Sequence, residues 1–314
     1  MTDLAVVVVA YRSADTLDAC LTAILADPRA EIAVVDNAGD EATRQVCARL
    51  AAPDGRVTYL DPGRNLGYAR AANLGLAALG DRKVVAVVNP DVKLTGRVGD
   101  LLVAAGAGAD DVVAGRLSSP LHPDSVNARP ATTAVRELAK AVVGTRAYRL
   151  RGLPPPDGTV HAVEQLDGAL LVMHGSTWAR LGGFDERFEL YYEDVDLCAR
   201  VRANGTCLLV NRPWGEHIGG HSYRRSAGTA YIAQRVSRVR YARSWWRPAP
   251  FAAPSVLVIS LLDYAVRTIT RQAEGQRTRN RALRLVLDEL RQPGSQQVLQ
   301  PTPTSTPGKE HEQG

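Results

Sequence analysis

With 314 residues, 45% of them hydrophobic and 23% charged, the chain can bury a sizeable core, and wholesale disorder is excluded. Its net charge of +5 is unevenly spread: Arg224 to Arg284 holds thirteen arginines against only Asp263 and Glu274, a pattern suited to a membrane leaflet or a phosphate-bearing substrate. No recognition motif accompanies that charge, so nucleic acid is not expected as a partner.

The four cysteines, Cys20, Cys47, Cys198 and Cys207, lack C-x-x-C spacing and read as small buried hydrophobes in a reducing compartment. The first apolar run, Leu4–Ala10, follows no basic segment and precedes no cleavage site, so no signal peptide is expected. That run is β-branched and continuous, as in a strand covered on both faces. Ser13 or Asp15 can cap the helix that follows, whose Leu17, Leu21, Ile24 and Leu25 fall at helical spacing. Glu31–Asp36 is a second strand, followed by a polar turn and a helix from near Asp40 to about Leu50. Val57–Leu60 is a third strand, Tyr68–Leu79 a helix of small residues, and Val84–Val88 a fourth strand ending at Asn89-Pro90-Asp91. This alternation argues for an α/β doubly wound domain with a mostly parallel central sheet flanked by helices. Ligands then belong beyond the carboxyl ends of the strands, where Asp36 and Asp91 lie.

Val112–Gly115 reads as a further strand, and Arg116 to Glu164 as an insertion with a short helix near Val135–Val143. Strand character returns at Leu170–Met173, an acid-rich helix runs from Glu193 to about Ala203, and Thr206–Val210 is a strand. Thr229–Trp246 forms a basic helix. Phe251–Leu262 is an apolar run of about a dozen residues, short of the roughly 20 that a bilayer span requires. With arginine flanks and Trp245-Trp246 it reads as an interfacial helix or as a core helix. From Gln292 the Pro/Thr/Ser/Gln-rich tail is expected to be disordered.

Neither G-x-x-x-x-G-K-[ST] nor a G-x-G-x-x-G after the first strand is present. Other motifs occur in order: Val34-Val35-Asp36-Asn37; Gly63-Arg64-Asn65-Leu66-Gly67-Tyr68-Ala69 with Ala72-Asn73; and Asn89-Pro90-Asp91. They are followed by Asp167-Gly168-Ala169; Gly182-Gly183-Phe184-Asp185-Glu186; Tyr192-Glu193-Asp194-Val195-Asp196; and His217 with Gly219-Gly220 and Ser222. Together they resemble the inverting, nucleotide-sugar-dependent glycosyltransferases of family 2, with the GT-A fold, in their actinobacterial rhamnosyltransferase-like branch. The likeness runs from about Val6 to Ser222 and fades into the basic segment.

The resemblance implies a nucleoside diphosphate sugar donor, dTDP- or UDP-linked, with dTDP-rhamnose first. It implies a lipid-linked glycan acceptor, first a polyprenyl-diphosphate sugar, with a natural product or other small molecule as the alternative. Donor binding falls to Tyr11, Asp36, Arg64, Asn65, Gly67, Asn73, Asn89 and Asp91, and the acceptor side to Asp167, Gly168 and Tyr192. Mg²⁺ or Mn²⁺ is the implied cofactor, with Asp91 and His217 as ligands and His221 as a competing candidate. Asn89 replaces the first acid of the common D-x-D pattern, and its amide can still hydrogen-bond a hydroxyl.

The resemblance places the base in the Glu193-Asp194 pair, Asp194 first and Glu193 second; close like charges, which raise one pKa towards neutrality, suit a base. Asp196 is four residues before Arg200 and reads as a helix-surface ion pair. Taken singly, Asn-Pro-Asp is an ordinary turn and Asp36 a helix cap. The expected layout is a glycosyltransferase domain over 1–223, with a nucleotide-sugar half over 1–92 and an acceptor half over 93–223. A basic helical segment spans 224–291 and a tail 292–314, in a cytoplasmic protein peripheral to the inner membrane face. A sugar-1-phosphate nucleotidyltransferase would instead need a glycine-rich basic loop where Ala10-Tyr11-Arg12-Ser13 stands. An inactive membrane-surface binding protein on the same fold is the rival of another class.

Overall fold

The computed structural model describes residues 3–299 apart from 54, 121–125, 149–154, 220–226, 271–274 and 295–297. Strand β1 (Leu4–Ala10) pairs in parallel with β2 (Ala30–Asp36) and with β4 (Val84–Val88), and β2 with β3 (Val57–Leu60). The two faces of this half are covered by different helices, which explains the unbroken apolar runs. Leu4, Val6, Val8, Ile32 and Val34 face Leu17, Leu21 and Ile24 of α1 (Ala14–Leu25). Ala5, Val7, Ala33 and Val35 face Ala69, Ala72 and Leu76 of α3 (Tyr68–Leu79). Helix α2 (Glu41–Ala51) is capped by Asp40, which accepts from the Thr43 N–H at 2.9 Å. Ser13 does not cap α1. Its hydroxyl turns back to accept the Tyr11 N–H at 3.3 Å.

Among the described residues the main sheet runs β3-β2-β1-β4-β10-β6-β11-β5, with β8 also on β11. Here β5 is Val92–Leu94, β6 Val112–Ser118, β8 Val160–Val163, β10 Leu170–His174 and β11 Cys207–His217. Strand β10 is antiparallel to both neighbours, so its first residue, Leu170, lies opposite Val88 at the carboxyl end of β4. Strand β11 runs seven residues past the expected end at Val210, through two bulges, and its last residue His217 pairs with Val92. A separate ladder joins β7 (Ala128–Arg129) to β9 (Gln165–Leu166). Short helices α4 (Leu101–Ala105) and α6 (Gly175–Leu181) complete the flanks, and α7 (Glu193–Val201) carries the acidic motif. The insertion's helix, α5 (Ala134–Tyr148), is longer than expected.

The C-terminal helices α8 (Ala227–Trp245), α9 (Ala252–Ile269) and α10 (Gln276–Arg291) pack onto α7. Phe188, Val195 and Ala199 meet Val239, Tyr241, Trp246, Val256, Ile259 and Val286. Much of the charge read from the sequence as a basic surface points inward. Arg235 pairs with Asp263 at 2.8 Å and Arg240 with Glu289 at 3.1 Å, while Arg238 reaches Ser260 at 3.2 Å and Glu137 at 3.7 Å. Each of these three guanidiniums meets a partner on another helix, as burial of a charge requires. The indoles are also used internally: Trp245 Nε1 donates to Asp196 and Trp246 Nε1 to the Thr132 carbonyl.

The apolar helix continues beyond Leu262, because Asp263 faces inward to Arg235 and Arg267 and does not interrupt it. With its preceding 3₁₀ turn it covers Ala249–Ile269, 21 residues, long and apolar enough to cross a membrane by length and composition alone. Its outer side exposes Phe251, Val258, Leu261, Val266 and Ile269. In the tail expected to be disordered, Val298 is buried and packs on Tyr231, Ile232 and Val236. The rest of that tail beyond Leu299 lies outside the described residues.

Helix α3 reaches the sheet at Gly75, where a Cβ would run into Val7 Cγ2 and come within 3.0 Å of Val35 Cγ2. Overpacking of this kind destabilises by about 1–3 kcal/mol. Gly75→Ala is therefore expected to lower the thermal midpoint by several degrees in a melting experiment; an unchanged midpoint contradicts the close approach.

Candidate active site

The carboxyl ends of β1, β2 and β4 and the start of β10 meet at one edge, which gathers most of the expected residues. Asp91 follows β4 and precedes β5, and β5 pairs with the end of β11, so Asp91 Oδ1 and His217 Nε2 stand 3.1 Å apart. The Gly219 N–H donates to Asp91 Oδ2 and the Ile218 N–H to the Asp91 carbonyl. Burial pushes the Asp91 carboxyl up, but hydrogen bonding and charge from His217 and the backbone donors hold it below the usual carboxylate range. A hard divalent cation uses one or two protein groups plus substrate phosphates, and Mn²⁺ accepts imidazole, so this carboxylate and imidazole fit such an ion. Among the described residues no group of three or more acids, histidines and cysteines is arranged to hold a metal. His221, Gly220 and Ser222 lie outside the described residues.

Asn89 and the Asp167-Gly168 turn are joined through Tyr68. The Tyr68 hydroxyl lies 2.8 Å from Asn89 Oδ1 and 3.1 Å from the Gly168 carbonyl, and the Asn89 N–H donates to Ala169 at 3.0 Å. With Oδ1 engaged, the NH₂ group is what Asn89 has left for a ligand. Gly168 N–H donates to Asp194 Oδ2 at 2.8 Å, and Val195 N–H to Asp194 Oδ1 at 2.8 Å. Asp194 is thereby fixed at the N-terminus of α7 while remaining partly exposed. Its pKa is raised, by burial first and then by Asp167, against the opposing Arg129 charge and the two N–H donors. Glu193 is more deeply buried, its Oε2 has no hydrogen-bond partner, and burial together with Asp194 pushes its carboxyl well above the usual range. Arg129 holds Asp167 at 2.6 Å.

Two residues before Asp194 depart from ordinary backbone: Tyr191 and Tyr192 have φ of 66° and 72°. A side chain other than glycine costs roughly 1–3 kcal/mol in such a conformation, and it persists only where the surroundings enforce it. Tyr192, expected on the acceptor side, is partly buried. Its ring packs 5.5 Å from Tyr241 and ties α7 to the helical layer. Asp196 is structural as expected but buried and not on a surface: it pairs with Arg200 at 2.7 Å and accepts from Trp245.

In the donor half, Asn37 clamps the glycine loop, accepting the Leu66 N–H and donating to the Gly67 carbonyl at 3.0 Å. Asn65 accepts the Gly67 N–H at 2.9 Å. Gly67 has φ of 82°, and a Cβ there would strike the Glu189 carbonyl oxygen, so the position needs glycine twice over. Tyr11 stands half-buried at the end of β1, and Arg64 is exposed on the loop.

Two of the residues expected at the donor make several internal hydrogen bonds. Asp36 is fully buried, with its oxygens taken by the Ala38 and Asp40 N–H groups and by the Tyr59 hydroxyl. Asn73 forms a two-way clamp on the Phe184 backbone, at 2.9 Å in each direction. Sequence reasoning passed over Tyr68, Arg129 and Glu189 as site residues. Tyr68 was within a quoted motif, whereas Arg129 lay in the insertion and only its pairing across β7 and β9 brings it near.

The signature described as "Glycosyl transferase family 2" matches residues 5–149. N-acetylglucosaminyl-diphospho-decaprenol L-rhamnosyltransferase of Mycobacterium tuberculosis is 32% identical, over 79% of this chain and 88% of its own. Low-salt glycan biosynthesis hexosyltransferase Agl10 of Haloferax volcanii is 24% identical, over 76% of this chain and 80% of its own. Among solved structures, GalNAc-T7 with UDP, GalNAc and Mn²⁺ superimposes with a TM-score of 0.58 at 13% identity, over 92% of this chain and 56% of that chain. TarS residues 1–349 of S. aureus gives 0.50 at 11% identity, over 92% and 80%. The structural likenesses are of fold alone, and the fold is GT-A.

The Asp36 geometry gives a discriminating variant. In Asp36→Asn an amide NH₂ would confront N–H donors, and a buried group left unsatisfied costs about 1–3 kcal/mol. Urea denaturation is expected to show a loss of that size; full stability with weakened nucleotide affinity would make Asp36 a donor contact instead.

Proposed function

The chain belongs to glycosyl transferase family 2, and on that premise we propose that it moves a sugar from a nucleoside diphosphate to an acceptor hydroxyl with inversion, using Asp194 as base. The observation that carries the reading is the placement of Asp194: fixed by two N–H donors, partly exposed, and beside the turn that Tyr68 links to Asn89. In the transfer, the acceptor oxygen bonds to the anomeric carbon, the bond from that carbon to the diphosphate oxygen breaks, and Asp194 takes the hydroxyl proton. Glu193 beside it is buried with an unpartnered oxygen, and burial together with Asp194 pushes its carboxyl well above the usual range, which disfavours a second charge in the pair. Asp91 and His217 would hold a divalent cation. When bound, it offsets charge on the departing diphosphate. Asn89 offers its amide to donor hydroxyls, and Arg64 and Asn65 line the glycine loop on the same edge.

The donor is dTDP-rhamnose and the acceptor a polyprenyl-diphosphate-linked sugar. This rests on the rhamnosyltransferase relative, whose name states a decaprenol-linked acceptor. Such an acceptor requires the protein to work at a membrane surface. The exposed stripe of Phe251, Val258, Leu261 and Ile269, with Arg243 and Arg247 exposed at the helix junction, suits an anionic leaflet.

Asp194→Asn is expected to lower transfer by about 10²–10⁴-fold while dTDP binding measured by calorimetry is retained; near wild-type turnover removes Asp194 from the mechanism. Because the base works ionised and its pKa is raised, the rate should fall as pH drops through a value above the ordinary carboxylate range. For the membrane, Val258→Asp with Ile269→Asp should abolish co-sedimentation with phosphatidylglycerol vesicles at equal activity on a soluble acceptor. Equal sedimentation of wild type and variant argues against the stripe.

A further inference from the structure

The segment 187–192 touches both halves of the site and is itself held from behind by the C-terminal end of the described chain. The Glu189 carbonyl accepts the Tyr68 N–H at 2.6 Å and fills the space that a Cβ at Gly67 would need. Four residues on, past the left-handed Tyr191 and Tyr192, come Glu193 and then Asp194. The Glu189 carboxylate points the other way. Its oxygens accept the Val298 N–H at 3.1 and 3.0 Å and the Leu299 N–H at 2.9 Å. Val298 is buried in a cluster with Tyr231, Ile232 and Val236, against which Leu190 and Tyr191 pack. Ser237 on α8 holds the Leu190 carbonyl at 3.0 Å, and Arg240 donates to the Arg187 carbonyl.

We infer that Glu189 is a positioning residue: through it Val298 and Leu299 keep the donor loop and the base in register. The backbone arithmetic supports this. Two consecutive non-glycine residues in the left-handed region need external enforcement, and the contacts that supply it come from α8 and from Val298. Among the described residues, the Glu189 carbonyl is the backbone link between the donor loop at Tyr68 and the segment leading to Asp194. A small displacement there moves the Asn89 partner Tyr68 and the base relative to each other, and misplacements near 1 Å cost about 100-fold in rate.

The test uses the full chain with Glu189→Ala, Val298→Pro, which removes one of the two tail N–H donors and the buried valine, and the double variant. Amide hydrogen exchange should accelerate at least about tenfold for Leu66 to Tyr68 in each single variant, while Val6 to Val8 of β1 stay as protected as in the wild type. Transfer kcat should fall roughly 10–100-fold in each, with the double variant no worse than the more impaired single, since both break one linkage. Glu189→Gln, which keeps one acceptor oxygen, should lie between wild type and Glu189→Ala. Wild-type exchange at Tyr68 in both singles, or losses that multiply in the double, overturns the inference. The activity arm rests on the transfer proposed above and the exchange arm does not, so a wild type inactive on every sugar nucleotide tried defeats that reading and leaves this one to be decided by exchange.

Discussion

The antiparallel pairing of β10 with β4 is the constraint on which the rest of the site depends. Its register sets Leu170 opposite Val88, so the turn before one strand and the turn after the other share a single edge. The Asn89 N–H on the Ala169 carbonyl and the Tyr68 hydroxyl between Asn89 and Gly168 then follow from position. Gly168 in turn holds Asp194. A parallel β10 would send the Asp167-Gly168 turn to the opposite edge, and the carboxylate of α7 would have no backbone donor beside the donor half.

Behind that edge, the helical layer is organised by ions. Arg235, Arg238 and Arg240 lie in a continuously buried stretch of one helix, Arg235 to Ala242, and each is answered from a different neighbour: α9, α5 or α10. Buried pairs contribute little net stability over apolar residues of similar shape, but a mismatched partner is costly, so they select one packing. The layer's specificity is useful here because Trp245, Tyr241 and Ser237 use it to hold α7 and the segment before it.

The N-terminal half was legible because its information is local. Continuous β-branched runs such as Leu4–Ala10 have one meaning when both faces are covered, and the motif order carried the family. What was missed depended on partners far along the chain. Val92-Lys93-Leu94 is too short to register as a strand until β11 pairs with it, and β11 itself hides behind Pro213. The arginines of α8 look like a basic surface when Asp263, Glu289 and Glu137 are not yet in place. Asp36 and Asn73 carry residue types suited to ligand binding, and the sequence does not show the internal partners they meet, the Ala38 and Asp40 N–H groups for Asp36 and the distant Phe184 backbone for Asn73. For Glu193 and Asp194 the sequence ranks Asp194 first without a physical reason to separate them, and depth of burial distinguishes the two: Glu193 is buried and Asp194 partly exposed.

The bulges in β11 have a consequence for how this chain can change length. From Val210 to Gly215 the strand advances five residues while its β6 partners, Gly115 and Leu117, advance two, a surplus of three. An odd surplus reverses which side of the sheet the following residues face. The side shown by His217 is therefore set by a count of residues several positions upstream. Single insertions or deletions between Val210 and Gly215 would exchange His217 for a neighbour of opposite orientation, whereas changes by two would keep the phase.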